Sequence, residues 1–203
     1  MNPVGRFPWL TGVVCVGALA AFVLLPSPEG FPLLVRGAEW RECVPALWTT
    51  QLLHLDLRHL LLNLCAGGLA FGWLELLSRR LLAACLLAAA PVCAGAALLA
   101  MPELVSYRGL SGLAHAAAGA LLGLAWARGQ RGWALAGLCV AAAKLCLEFR
   151  GGGSLFLDTA AGDALSTPPA HLAGLLCGLV LGLAACLGRR RACSGSGTQD
   201  PAT

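Results

Sequence analysis

A serine between glycines, in Gly109-Leu110-Ser111-Gly112, opens one apolar stretch, and a histidine, in Ala170-His171-Leu172-Ala173-Gly174, opens another. A neutral imidazole can take a hydroxyl proton and return it to a leaving amine, so the two residue types suit acyl transfer. No carboxylate stands beside His171 in sequence, which makes a Ser–His pair a simpler expectation than a triad. A third stretch carries His54, His59 and Asn63. His59 and Asn63 are four apart, within about 40° on a helix, and both can donate hydrogen bonds to an oxyanion. On the same helix His54 would lie about 140° round from His59, so it is expected to face elsewhere as a structural group. Backbone N–H groups at the helix start of Ser111 would point toward a developing oxyanion, and Gly109 and Gly112 would let a substrate backbone approach.

Each of these residues has a plainer reading. A buried histidine is commonly a satisfied core group, and a serine among glycines commonly packs or bridges helices. Their joint placement depends on the elements that carry them. The chain has 203 residues, 58% of them hydrophobic and 12% charged, with a mean hydropathy of +0.77. A soluble domain of this length could not hide that apolar surface, so the natural solvent is lipid. Breakers and charges divide the chain into six apolar stretches: 9–25, 45–73, 81–101, 110–127, 132–149 and 169–187. The fold class expected is an all-α polytopic membrane protein, with a short terminus at 1–8, a six-span core at 9–187 and a disordered tail at 188–203.

Arginine placement sets the orientation. One set of connections holds Arg6, Arg79, Arg80, Arg128, Arg131 and Arg189 to Arg191; the alternate set holds Arg36, Arg41, Arg108 and Arg150. The richer set belongs inside, which puts both termini in the cytoplasm. The outer loops are then Pro26–Val44, Pro102–Gly109 and Arg150–Pro168. The second, fourth and sixth stretches all run inward, so His59, Asn63, Ser111 and His171 converge on one outer depth. Polar groups inside spans are costly and are functional candidates by default. Ala18-Leu19-Ala20 suggests a signal-peptide cleavage site, but the apolar run continues to Leu25, which favours a retained span.

The remaining features read as architecture. Most of the ten cysteines lie inside apolar runs, where they act as small hydrophobes, and none forms CxxC. Gly174, Gly178 and Gly182, facing Gly112, Ala116, Gly119 and Gly123, would let two spans approach closely and bring His171 to Ser111. Glu75 with Arg79, and Lys144 with Glu148, form i,i+4 pairs, the second an internal ion pair near the outer end of its span. A role for Lys144 and Glu148 in holding a substrate terminus has no support in the sequence. Gly151-Gly152-Gly153 lacks the flanking residues of a phosphate cradle. The formal charge of +4 is scattered, which excludes a nucleic-acid footprint.

Gly109-Leu110-Ser111-Gly112 resembles the GxSG of rhomboid proteases. His59-(x3)-Asn63 is similar to their second-helix HxxxN, and Ala170-His171-(x2)-Gly174-(x3)-Gly178 to their last-helix AHxxGxxxG. The match covers the six stretches in order, spacing and side of the membrane. It implies a six-helix rhomboid-like bundle, a catalytic Ser111–His171 dyad, and an oxyanion hole of His59, Asn63 and the Ser111 backbone, with no cofactor. His115 stands where many of these proteases place a tyrosine packed on the catalytic histidine; it could support His171 or simply pack. The Trp-Arg pair usual in the first outer loop is not in its familiar setting, though Trp40-Arg41 lies just ahead of the second stretch. The run Trp40-Arg41, His54, His59 and Asn63, the motif Gly109-Leu110-Ser111-Gly112-Leu113-Ala114-His115 and the bare six-helix core resemble the bacterial rhombosortase branch. That branch implies an inner-membrane enzyme trimming Gly-Gly-type C-terminal tails of exported proteins. A catalytically inactive rhomboid-like binding protein is the second expectation, although this chain keeps both serine and histidine. A membrane haem or metal protein is the third, weakened by the lack of HExxH or paired Cys/His spacing.

Overall fold

Asp56 decides where the longest helix begins. Its backbone is extended (φ −149°, ψ 171°) and its side chain accepts from His59 N, a hydrogen bond of 2.7 Å. This is the N-cap arrangement, which satisfies one of the orphan donors of a first helical turn. The computed structural model describes residues 7–25, 34–35, 40–102, 104, 106–151 and 167–194. Helices α1 (Trp9–Leu24), α2 (Trp40–Thr49), α3 (Leu57–Ala100), α4 (Ser111–Ala127), α5 (Arg131–Gly151) and α6 (Pro168–Ser194) carry the fold. Strands β1 (Leu34–Val35) and β2 (Ser106–Tyr107) form one antiparallel pair that ties the chain before α2 to the chain before α4.

The apolar stretch expected over 45–73 is not one helix. It is α2, a 3-10 turn at Thr50–Leu52, an extended segment ending at Asp56, and then the start of α3. Apolar residues continue across this break, so hydropathy alone does not reveal it. The second and third stretches, by contrast, are separated by a single non-helical residue. Ser78 has φ −164° and ψ 99°, and its hydroxyl accepts from Leu81 N at 3.3 Å, so it closes one arm of α3 and caps the next. His59 and Cys93 both lie against the Gly109–Gly112 segment, so the chain doubles back at Ser78.

Helices α3, α5 and, over Pro168–Leu187, α6 are long and apolar enough to cross a membrane; α1 and α4 are shorter apolar helices. Leu69, Trp73, Leu99, Trp133 and Val180 present large apolar side chains outward. Such a surface needs lipid, and the chain is a membrane protein. Helix α6 runs to Ser194, beyond the end expected at Leu187, because arginine and alanine sustain a helix. The rest of the tail expected at 188–203, most of the loops at 26–44 and 150–168, and Gly152 and Gly153 lie outside the described residues.

Glu75 is almost fully buried and does more than pair with Arg79. Its carboxylate accepts from Leu10 N (3.1 Å), Thr11 N (2.8 Å), the Thr11 hydroxyl (2.9 Å) and Arg79 Nε (3.0 Å). Pro8, at the α1 N-cap, offers no side-chain cap, so a carboxylate from α3 satisfies that helix start instead. The core mixes large side chains such as Phe71, Leu74 and Tyr107 with many small residues, among them Ala89, Ala90, Cys93, Ala97, Ala116 and Ala120, all fully buried. Cys15, Cys65, Cys85, Cys93, Cys139, Cys146, Cys177 and Cys186 are free, and Cys85 and Cys93 fill space in this core.

The tightest seam joins α4 to α6. A side chain at Gly178 would fall on the Ala116 carbonyl oxygen, and one at Gly174 on that of Gly112. Small residues let helix backbones meet in this way. Gly178→Leu should therefore force the helices apart, costing at least about 3 kcal/mol as overpacking with little room to relax. Thermal unfolding of the purified protein would show that loss directly.

Candidate active site

Three helix starts and one helix end meet at the site. Ser111 and His171 stand in the first turns of α4 and α6, and His59 and Asn63 in the first two turns of α3. Glu148 lies in the last turn of α5.

The segment entering α4 is held from below. Gly109 N donates to Thr50 O at 3.0 Å, and the buried Tyr107 hydroxyl donates to Gln51 Oε1 at 3.4 Å. Gln51 Nε2 in turn donates to Ala90 O at 3.3 Å. The turn after α2 thus fixes where Ser111 emerges. Gly109 has φ +111°, a conformation that favours glycine. A Cβ there would stand 2.8 Å from His59 Nε2 and 3.3 Å from Asn63 Nδ2. Both side chains therefore face the strand of backbone that leads into Ser111.

His171 connects the other two groups. Its Nε2 lies 2.9 Å from Ser111 Oγ, and its Nδ1 lies 2.9 Å from Glu148 Oε2. An ionised carboxylate can only accept, so Nδ1 carries the proton and Nε2 presents a lone pair to the serine hydroxyl. His171 is 6% exposed and Glu148 1%, while Ser111 is only partly buried. Glu148 Oε1 also accepts from Lys144 Nζ at 2.6 Å. A carboxylate does reach His171, although none stands beside it in sequence. The carboxylate comes from another helix, 23 residues away in the chain, where adjacency to His171 gave no sign of it.

His115 packs flat on His171, with ring centroids 4.4 Å apart and planes 11° from parallel. Its Nδ1 donates to Ser111 O at 2.7 Å. The position thus stacks on the histidine and also ties to the serine backbone. His54 departs from expectation. Because Asp56 breaks the helix, His54 is not 140° round a shared helix; its ring meets His59 edge to face at 5.1 Å. His54 Nδ1 donates to Leu52 O at 3.0 Å.

Two side-chain donors, from His59 and Asn63, lie near the backbone that enters Ser111. Leu55 N donates to His59 Nδ1 at 3.5 Å, which leaves the proton of that ring on Nε2. Asn63 Nδ2 is buried and has no hydrogen-bond partner. An unsatisfied buried donor costs about 1–3 kcal/mol, so it needs an explanation, such as a ligand oxygen. Leu110, the α4 N-cap, makes no side-chain hydrogen bond to the first N–H groups of that helix, the groups a helix start leaves without intrahelical partners. Gly112 fits closely, since a Cβ there would stand 2.7 Å from the Tyr107 hydroxyl. Among the described residues, no three His, Cys, Asp or Glu side chains gather into a metal-binding group.

The chain matches no protein-family model and no curated protein.

Proposed function

We propose that this chain is an intramembrane serine protease, with Ser111 as nucleophile and His171 as general base. The observation that carries the reading is the 2.9 Å contact from His171 Nε2 to Ser111 Oγ beside the unpartnered amide of Asn63. In this mechanism Ser111 Oγ attacks a peptide carbonyl as its proton passes to His171 Nε2. The carbonyl oxygen gathers negative charge among Asn63 Nδ2, His59 Nε2 and the Ser111 N–H. His171 then returns the proton to the departing amine, and water or another amine resolves the acyl-enzyme.

Asn63→Ala should lower turnover about 10- to 1000-fold, the scale of removing one oxyanion donor. Its unfolding temperature should stay unchanged or rise, because an orphaned buried amide disappears with it. Both are measured on the purified protein.

We place the protein in a bacterial inner membrane as a six-span rhomboid-like bundle with both termini cytoplasmic. The two arms of α3 supply two of the crossings, and the site lies near the outer membrane–water boundary. The substrates proposed are the membrane-anchored C-terminal tails of exported proteins, of the Gly-Gly type. The motif resemblance and His115 support that class. Mass analysis of exported proteins' C-termini, from cells with the intact chain or with Ser111→Ala, tests it. Untrimmed tails should accumulate in the variant; identical C-termini in both would retire the reading.

A further inference from the structure

Glu148 sits where helix electrostatics disfavours it. A carboxylate in the last turn of α5 faces the negative end of the helix dipole. Lys144 preceding Glu148 by four residues is also the weaker order for an i,i+4 pair. The side chain is 1% exposed, and burying a carboxylate is costly unless both oxygens find strong partners. Each oxygen has one: Lys144 Nζ for Oε1, and His171 Nδ1 for Oε2. Pairing with Lys144 needs only one of them. The second oxygen is committed to the ring that faces Ser111.

We infer that Glu148 is a positioning residue, the third member of a Ser111–His171–Glu148 relay, with Lys144 clamping its free oxygen. The inference rests on the serine-protease reading above and adds the group that prepares its base. Holding the proton on Nδ1 keeps the Nε2 lone pair toward Ser111 Oγ. Once the serine proton arrives, the ring is a cation, and the buried carboxylate stabilises it in a medium that screens little. His115 cannot substitute for this. Its stack limits the tilt of the ring, but it makes no bond to either ring nitrogen of His171.

The test uses the full-length purified protein and a fluorophosphonate probe. In labelling, a bond forms from Ser111 Oγ to phosphorus, the phosphorus–fluorine bond breaks, fluoride leaves, and the serine proton passes to His171 Nε2. Glu148→Gln retains an oxygen that can accept from Nδ1 but lacks the charge. The limiting labelling rate should fall about 10²- to 10⁴-fold, as for loss of a general base's orienting carboxylate, while probe affinity changes little. Glu148→Asp should recover part of the loss. If the carboxylate were only a tether between α5 and α6, Glu148→Gln would label at the intact rate, and the inference would fall.

Nitrogen-labelled histidine spectra of the intact protein decide the matter even where a variant does not fold. A His171 proton on Nδ1 supports the relay, and one on Nε2 overturns it. Ser111→Ala, run alongside, separates the two levels. Undiminished labelling of that variant would remove the protease reading itself, whereas normal labelling of Glu148→Gln removes only the role of Glu148.

Discussion

Ser111→Ala should lower turnover about 10⁴- to 10⁶-fold and leave the fold intact, since the nucleophile is gone and little else is. The Ser111 side chain makes its hydrogen bond to His171 and caps nothing; the N-cap of α4 is Leu110. Alanine is also the better helix former at a first-turn position, so stability should move by no more than about 0.5 kcal/mol. The pairing of a dead enzyme with an unchanged unfolding curve is the signature expected. A variant equally dead but visibly loosened would mean that Ser111 was packing α4 rather than attacking a carbonyl.

His171→Ala should reduce turnover on the same scale but behave differently in unfolding. Removing the imidazole takes away the base, and it also leaves Glu148 Oε2 buried without its 2.9 Å partner. An orphaned buried acceptor costs about 1–3 kcal/mol, and more when charged, so this variant should unfold at a lower temperature than Ser111→Ala. Groups that act as one unit are not additive in rate. The double variant Ser111→Ala/His171→Ala should therefore turn over no more slowly than either single one. Steady multiplication of the two losses would argue that the residues act separately.

Much of the arrangement was legible in the sequence because it follows from local patterns. The four-residue spacing of Gly174, Gly178 and Gly182 marks a face for close helix contact, and α6 does lie against Gly112, Ala116 and Ala120. Breakers marked the start of α4 to within one residue, which placed Ser111 in a first turn. The convergence of Ser111 and His171 then followed from helix direction.

What escaped the sequence has a common physical cause: it depends on helix breaks within apolar runs or on partners far apart in the chain. A continuous helix through Asp56 would turn His54 away from His59, but the Asp56 side chain caps a new helix there and the two rings meet. Asp56 ahead of an apolar run was the available signal. In sequence Glu148 pairs only with Lys144, four residues before it. The last turn of α5 meets the first turns of α4 and α6, and that level is what brings Glu148 to His171. The remote capping of α1 by Glu75 left no sequence pattern, because donor and acceptor are 64 residues apart.

The most direct measurement is to label the intact protein with the fluorophosphonate probe and map the adduct by mass spectrometry. A single adduct on Ser111, lost in His171→Ala, is the expected result. An adduct on another residue, or none on folded protein, would contradict the assignment of Ser111 as an activated nucleophile.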